Sequence, residues 1–201
     1  MNVLNKGGEM AVLNIHTRRL PVSESEVGAL IDGIASDGDR LWPRDKWPAV
    51  RFDRPVGFGA VGGHGPVHYI VEAYEPGRWI RFRFTAPRGF HGFHEYSVRR
   101  AGDGAILLSH VLAIKLRGRA RLSWPLFYRW MHDALLEDSL DCAERALTGA
   151  IRTPAEWSRY VVLLRDLGER ARKRKASRQA VTAVTGGALL DAEPARDRSA
   201  R

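Results

Sequence analysis

Four apolar segments between residues 67 and 115 constrain the fold more than any other feature of the sequence. Turn residues separate the segments, which span Val67 to Tyr74, Arg78 to Thr85, Gly92 to Arg99 and Ala105 to Lys115. Within the second segment Ile80, Phe82 and Phe84 occupy every second position, so they share one face of a strand. We therefore predict consecutive hairpins of an antiparallel sheet that has one apolar and one solvated face.

A strand and a short helix are predicted before these segments, and a long helix after them. The strand is Asn14 to Leu20, and the short helix begins at Ser23, which has the spacing of a capping box with Glu26. From Leu122 to Ala150 the periodicity predicts one long helix, whose apolar face would cover the sheet and carries Leu126, Phe127, Trp130, Met131, Ala134, Leu135 and Cys142. The predicted fold is α+β, with a cavity between the curved sheet and this helix.

The charge of the chain is unevenly distributed. The net charge is +9, yet residues 1–150 carry 20 basic and 17 acidic side chains, whereas residues 151–201 carry 12 and 6. The basic excess is therefore concentrated near the C-terminus, and any anionic partner is expected there. No nucleic-acid-reading motif accompanies the charge, so nucleic acid is not the predicted partner.

The composition predicts one domain with appendages. No stretch of about 18 apolar residues is present, the N-terminus lacks an apolar signal core, and Cys142 is the single cysteine. These features predict a location in the reducing cytoplasm. Met10 is an alternative start to Met1. The predicted parts are a flexible lead-in over 1–12, a domain over 13–150, a basic amphipathic helix over 151–175 and a disordered tail over 176–201.

Several motifs resemble those of a known superfamily. They are His64-Gly-Pro-Val-His-Tyr69, Tyr74-Glu-Pro-Gly-Arg-Trp-Ile-Arg-Phe82, Gly92-Phe-His-Glu-Tyr96, Leu108-Ser-His110 and His132-Asp-Ala-Leu-Leu-Glu-Asp-Ser-Leu140. Over residues 12–150 the chain resembles an actinobacterial-type branch of the START-like superfamily, which includes Bet v 1-like ligand binders and polyketide cyclases. The resemblance implies the helix-grip fold, with about seven strands around a long C-terminal helix.

Two histidines are the first candidates for chemistry. Strand parity places His94 and His110 on the apolar side of the sheet, where they could hydrogen-bond a ligand or act as general acid or base. The alternative is that both are core histidines bonded to the backbone or to each other. The predicted cavity lining also includes five aromatic side chains: Tyr69, Phe82, Phe84, Tyr96 and Trp130.

Asp138 on the long helix is the third candidate, because it falls on the apolar face. It could hold a ligand hydroxyl or orient His94 or His110, or it could simply pair with an arginine of the sheet, with Asp141 and Arg145 pairing on the next turn. No metal site is predicted, because the histidine spacing matches no ligand motif and there is no second cysteine. No cofactor is predicted.

The C-terminal segment has its own helical signals. Thr153, Pro154 and Glu156 resemble a helix start, and the predicted helix runs to about Arg174. Its end carries a basic cluster formed by Arg170, Arg172, Lys173, Arg174 and Lys175. The cluster is interpreted either as a solvated basic surface or as a peripheral contact with an anionic membrane.

The sequence leaves three functions open. A carrier or sensor of a small hydrophobic ligand, lipid or polyaromatic, is the main prediction. The first alternative is a polyketide-cyclase-like enzyme that uses His94, His110 and Asp138, and the second is an interaction module without a ligand. The sequence contains no pattern that predicts the oligomeric state.

Overall fold

The structure is a computed structural model that describes residues 2–6, 9–171, 173 and 174, with the backbone alone for residues 2–6 and 9. The chain divides into two compact units, Met1–Trp157 and Ser158–Arg201. The first unit thus ends at Trp157, seven residues beyond the predicted boundary at residue 150.

Eight strands form the sheet of the first unit. They are β1 (Asn2–Lys6), β2 (Glu9–Leu20), β3 (Arg51–Phe52), β4 (Val61–His64), β5 (Val67–Glu75), β6 (Trp79–Ala86), β7 (Phe90–Arg100) and β8 (Ile106–Leu116). Their order is β1-β2-β8-β7-β6-β5-β4-β3, and every pair is antiparallel. The pairing of β5 with β6 shifts register twice, and such irregularities bend a sheet.

The four apolar segments become β5 to β8, with ends within two residues of those predicted. Ile80 and Phe82 are buried, while Arg81 and Arg83 on the other face are partly or fully exposed, as the alternation predicts. The prediction for residues 1–12 is wrong within the described part, because β1 and the start of β2 occupy this segment. β2 pairs with β8 as far as Leu116, and β1 then pairs with the other side of β2, so hydrogen bonding orders this part of the chain.

The first helix, α1 (Glu24–Asp32), begins at the predicted capping box. The Ser23 side chain accepts a hydrogen bond from the backbone N–H of Glu26, and the Glu26 carboxylate accepts one from the backbone N–H of Ser23. α1 packs closely on the turn between β5 and β6. A Cβ atom at Gly28 would lie 2.2 Å from the carbonyl oxygen of Gly77, so only glycine allows this approach.

The predicted long helix is three consecutive helical segments. They are α2 (Ala120–Ser123), a π-helical turn (Trp124–Tyr128) and α3 (Arg129–Thr148). Pro125 lies in the π-helical turn and has no N–H to donate to the preceding turn, which favours such an irregularity. Gly149 ends α3 in the left-handed conformation with φ 80°.

The π-helical turn changes which side chains face the sheet. A π-helical turn contains about one residue more than an α-helical turn. A single helical wheel with 100° per residue therefore does not apply across it. Leu126 and Trp130 are consequently 62% and 37% exposed, although the periodicity predicted them on the covered face. After the turn, the buried residues of α3 include Leu135, Leu140 and Ala143.

The core consists of two clusters. The larger one joins α1, α3 and the sheet from β5 to β8, and it includes Leu30, Ile80 and Leu140. The smaller one lies around the π-helical turn and includes Phe90, Leu112 and Trp124. Within the described part of the chain, no helix is both long enough and apolar enough to cross a membrane.

In the second unit residues 159–171, 173 and 174 are helical. The helix therefore begins later than the predicted start near Thr153. The reason lies in the first unit, where the backbone N–H of Ala155 donates to Asp141 at 2.7 Å and the indole N–H of Trp157 donates to Asp138 at 2.8 Å. These bonds hold residues 155–157 in an irregular conformation.

Candidate ligand-binding site

A cavity of about 150 Å³ lies where the two core clusters meet. Aromatic rings from the sheet, the loop before β3 and the π-helical turn form much of its lining, including Trp42, Phe84, Phe90, Trp124 and Tyr128. Four histidines also line it: His64, His94, His110 and His132. The cavity is therefore apolar except for a group of imidazoles.

His94 on β7 and His110 on β8 are bonded to each other. Their Nδ1 and Nε2 atoms, respectively, lie 3.2 Å apart, as the second interpretation of the sequence predicts. The His94 ring stacks on Phe82 with centroids 4.9 Å apart, and Tyr96 packs edge-on against His110 at 4.8 Å. Aromatic packing and the mutual bond together fix the two imidazoles.

Three imidazole nitrogens of the lining have no hydrogen-bond partner among the described residues. They are Nε2 of His94, Nδ1 of His110 and Nε2 of His132, and all three atoms are buried. Burial lowers the pKa of His94 and His110 well below the usual 6.5, and the nearby His132 lowers both further. These imidazoles are therefore neutral at pH 7, when each can donate one hydrogen bond and accept one.

His64 is a fourth imidazole of the lining, packed against the rings of Trp42 and Tyr69 at 4.7 and 6.1 Å. Burial, and then the charges of His132 and His68, lower its pKa to about 4. The folded state therefore resists protonation that the unfolded chain accepts below about pH 6.5. The contribution of His64 to the stability of the folded state is thus fully present above pH 6.5 and is lost as the pH falls toward 4.

We expect this effect of His64 to amount to about 3 kcal/mol at most. Urea denaturation of wild type and His64→Gln at pH 7 and pH 4.5 measures it, and the variant should lose about 2 to 3 kcal/mol less over this interval. His91→Gln, which removes an exposed imidazole of β7, is the control and should behave as wild type. Equal losses in all three proteins would contradict the expectation.

A second polar arrangement joins β2 to α3. Side chains from alternate positions of β2 meet acidic side chains about one helical turn apart on α3. Asn14 donates to Asp133 at 2.6 Å, and His16 Nδ1 lies 2.7 Å from Glu137. Arg18 donates to Asp141 at 2.9 Å and to Glu144, and all three side chains are mostly buried. We call this row of contacts between β2 and α3 the β2–α3 seam.

The spacing of the β2–α3 seam follows from backbone geometry. Two strand residues advance about 6.8 Å and four helix residues about 6.0 Å, so successive side chains stay within reach. His16 receives two carboxylates in this arrangement. Burial alone lowers the pKa of His16, but hydrogen bonds to Asp133 and Glu137 raise it to about 9, so the imidazole is charged at pH 7.

Asp138 of α3 lies outside the cavity lining. Its side chain is fully buried and accepts three hydrogen bonds, from Lys46 Nζ at 2.6 Å, Trp47 Nε1 at 2.7 Å and Trp157 Nε1 at 2.8 Å. Asp138 thus pairs with Lys46 and not with an arginine of the sheet, and Arg18 of β2 instead meets Asp141 and Glu144. Through these hydrogen bonds Asp138 connects α3 to the loop before β3, at Lys46 and Trp47, and to Trp157 at the end of the first unit.

The aromatic residues predicted as lining have different positions. Phe84 and Tyr96 line the cavity, and the Tyr96 hydroxyl bonds Ser139 at 2.9 Å. Tyr69 and Phe82 are buried behind the lining, where both rings pack against His94. Trp130 lies at the surface because of the π-helical turn before it, and its indole N–H donates to the carbonyl of Pro125 at 2.9 Å.

The sequence analysis missed His132, His16 and Arg18. A signal for the latter two was present, because Asn14, His16 and Arg18 alternate along β2 while Asp133, Glu137 and Asp141 recur every four residues on α3. His132 also had a signal, because it precedes the buried Leu135 and Leu136 of α3 by three and four residues.

The basic cluster predicted for membrane contact is described only in part. Arg170, Lys173 and Arg174 are exposed on the helix of the second unit, while Arg172 and Lys175 lie outside the described residues. Contact with an anionic membrane stays a prediction.

Comparison with solved structures defines the fold. Truncated norcoclaurine synthase from Thalictrum flavum matches with a TM-score of 0.55 and 9% identity, over 74% of this chain and 100% of that one. A conserved protein of unknown function from Enterococcus faecalis matches with a TM-score of 0.50 and 10% identity, over 86% and 90%.

No protein-family model matches the chain, and no curated protein matches it in sequence. Identity at this level relates structures by fold alone. The observed order of one short helix, an antiparallel sheet and a long C-terminal helix agrees with that relation. The first unit of this chain therefore has the fold of norcoclaurine synthase, which is the helix-grip fold that the sequence predicts.

Proposed function

We propose that the protein binds a small aromatic molecule, of about one ring, that carries a hydrogen-bonding substituent. The observation that carries this proposal is the cavity itself, whose aromatic lining contains three buried imidazole nitrogens that no described residue hydrogen-bonds. Buried polar atoms are nearly always hydrogen-bonded in native proteins. A ligand with a hydroxyl or carbonyl group would supply the partner that the protein does not.

The cavity volume supports a ligand of one ring. A cavity of about 150 Å³ lined by apolar side chains takes up benzene in a well-studied engineered protein, and the present cavity has the same volume. A long acyl chain or a polyketide of several rings would require the cavity to expand. Ligand binding in this fold has a precedent, since a norcoclaurine synthase variant with a TM-score of 0.54 was solved in complex with a transition state analogue.

Two probes of nearly equal shape test the proposal. In a cavity without polar partners, toluene should bind more tightly than p-cresol, because the phenol hydroxyl loses its hydrogen bonds to water. With a partner among the imidazole nitrogens the order should reverse, and p-cresol should bind about 2- to 10-fold more tightly than toluene. Isothermal titration calorimetry, supported by histidine ring signals in NMR spectra, measures both affinities.

Two variants complete the experiment. His94→Phe keeps the stacking on Phe82 but removes a polar partner, so the preference for p-cresol should shrink. Leu112→Phe adds volume to the lining and should weaken both probes. Tighter binding of toluene to wild type would refute polar recognition, and failure of both probes to bind at millimolar concentration would refute the ligand site.

Acid–base catalysis on the bound ligand is the second candidate function. It is favoured by the position of His94, whose Nδ1 contacts His110 while its unpartnered Nε2 is available to a proton-bearing group in the cavity. A carrier should release its ligand chemically unchanged, whereas an enzyme should convert it at a rate that His94→Phe abolishes. Mass spectrometry of the ligand recovered after incubation distinguishes these outcomes.

A further inference from the structure

The geometry points to a Zn²⁺ site formed by His16 of β2 and by His132 and Asp133 of α3. Among the described residues, these three side chains form the one group whose potential ligand atoms all lie within 4.8 Å of one another. Imidazole nitrogen and carboxylate oxygen are both common zinc ligands. The inference concerns a site beside the cavity and does not depend on the cavity's ligand.

Two of the three distances within the group equal those of tetrahedral coordination. Asp133 Oδ1 lies 3.3 Å from His16 Nε2 and 3.4 Å from His132 Nδ1. A tetrahedral ion with ligands at about 2.0 to 2.1 Å separates them by about 3.3 to 3.4 Å, while an octahedral ion of that size separates neighbours by about 2.9 Å. Zinc prefers the tetrahedral arrangement in proteins, so the spacing favours zinc over magnesium.

A second layer of side chains orients the ligands. Glu137 Oε1 lies 2.7 Å from His16 Nδ1, which leaves Nε2 directed at Asp133. The side-chain amide of Asn14 donates to Asp133 Oδ1 at 2.6 Å. A carboxylate that holds the far nitrogen of a ligating histidine is a regular feature of zinc sites, where it fixes the tautomer and the ring orientation.

Access permits a cation, which must displace the proton that His16 carries at pH 7. Asp133 and Glu137 bring two carboxylates, and their exposures of 34% and 43% leave the group open to solvent. Two guanidinium groups oppose the cation, since Arg18 lies 3.5 Å from Glu137 and Arg129 lies 3.8 Å from Asp133. Both contact the carboxylate oxygens that face away from His16, so Asp133 Oδ1 keeps its place among the ligand atoms.

Three protein ligands would leave one tetrahedral position for water, which is the arrangement of catalytic rather than structural zinc. His132 belongs both to this group of three ligands and to the cavity lining, so the ion would lie next to the cavity wall.

Titration of the tag-free full-length protein, first stripped of metal with a chelator, tests the site. Co²⁺ should give the intense visible absorption of a tetrahedral ion and saturate at one equivalent per chain. Zn²⁺ should displace Co²⁺, and competition with a chromophoric chelator measures its affinity. Saturation without a tetrahedral spectrum, or no binding at micromolar concentration, would overturn the inference.

Four variants assign the ligands. His16→Gln and Asp133→Asn each remove a ligand and should weaken Zn²⁺ binding about 100-fold or more, and Glu137→Gln should weaken it about 10- to 100-fold. His68→Gln removes an exposed histidine of β5 and should bind as wild type. If His16→Gln does not fold by circular dichroism, Glu137→Gln and Asp133→Asn decide. Unchanged affinity in these variants, or an equal loss in His68→Gln, would refute the assignment.

Discussion

Replacing Arg18 with methionine should lower the free energy of unfolding by about 3 to 5 kcal/mol. Arg18 donates to Asp141 and Glu144, whose side chains are 6% and 3% exposed. Without the guanidinium, two buried carboxylates would lose their shared cation. Each would keep one other donor, the backbone N–H of Ala155 for Asp141 and Arg152 for Glu144, which is too little to replace the charge. Urea denaturation at pH 7 measures the change.

The neighbouring residue provides the matched control. Arg19 also pairs with an acidic side chain, Asp103, but the two side chains are 52% and 59% exposed. Arg19→Met should therefore change the free energy of unfolding by at most about 1 kcal/mol. Similar losses for the two variants would show that burial of the ion pair does not determine its contribution.

Replacing Asp138 with asparagine should lower the free energy of unfolding by about 2 to 3 kcal/mol. The two carboxylate oxygens of Asp138 accept hydrogen bonds from Lys46, Trp47 and Trp157. Asparagine has a single side-chain oxygen, so its NH₂ group would face one of these donors. We expect the affinity for p-cresol to be unchanged, because Asp138 does not line the cavity.

Asp45→Asn removes an exposed carboxylate of the same loop and should change stability by less than about 0.5 kcal/mol. Denaturation and calorimetry on both variants separate the two roles of Asp138 that the sequence leaves open. Loss of p-cresol affinity in Asp138→Asn at unchanged stability would show that this carboxylate serves the ligand.

The sheet was predictable because its signals are local. The alternation in β6 and the turn at Glu75, Pro76 and Gly77 depend on residues adjacent in the chain, and so does the capping box of α1. β1 was missed because Asn2–Lys6 shows no regular alternation of apolar and polar residues, so only its pairing with β2 reveals the strand. The late start of the C-terminal helix depends on residues distant in the chain, namely on bonds to Asp138 and Asp141.

The candidate site was predictable in its strand residues and not in its helix residues. Parity along β7 and β8 correctly brings His94 and His110 together, and the observed distance between their ring nitrogens is 3.2 Å. On the helix, the π-helical turn at Trp124–Tyr128 shifts the phase of the wheel. Trp130 therefore lies at the surface, although one uniform wheel over the whole helix places it on the covered face.

The contact between β2 and α3 also limits how the helix can evolve. Strand and helix repeats differ by about 0.8 Å per step, so over the two steps from Asn14 to Arg18 the mismatch is about 1.6 Å, which side-chain torsions can absorb. Inserting or deleting one residue between Asp133 and Glu144 would rotate every later acidic side chain by about 100° away from β2. This part of the helix should therefore not accept changes in length, whereas the exposed turn at Gly102 and Asp103 can accept them.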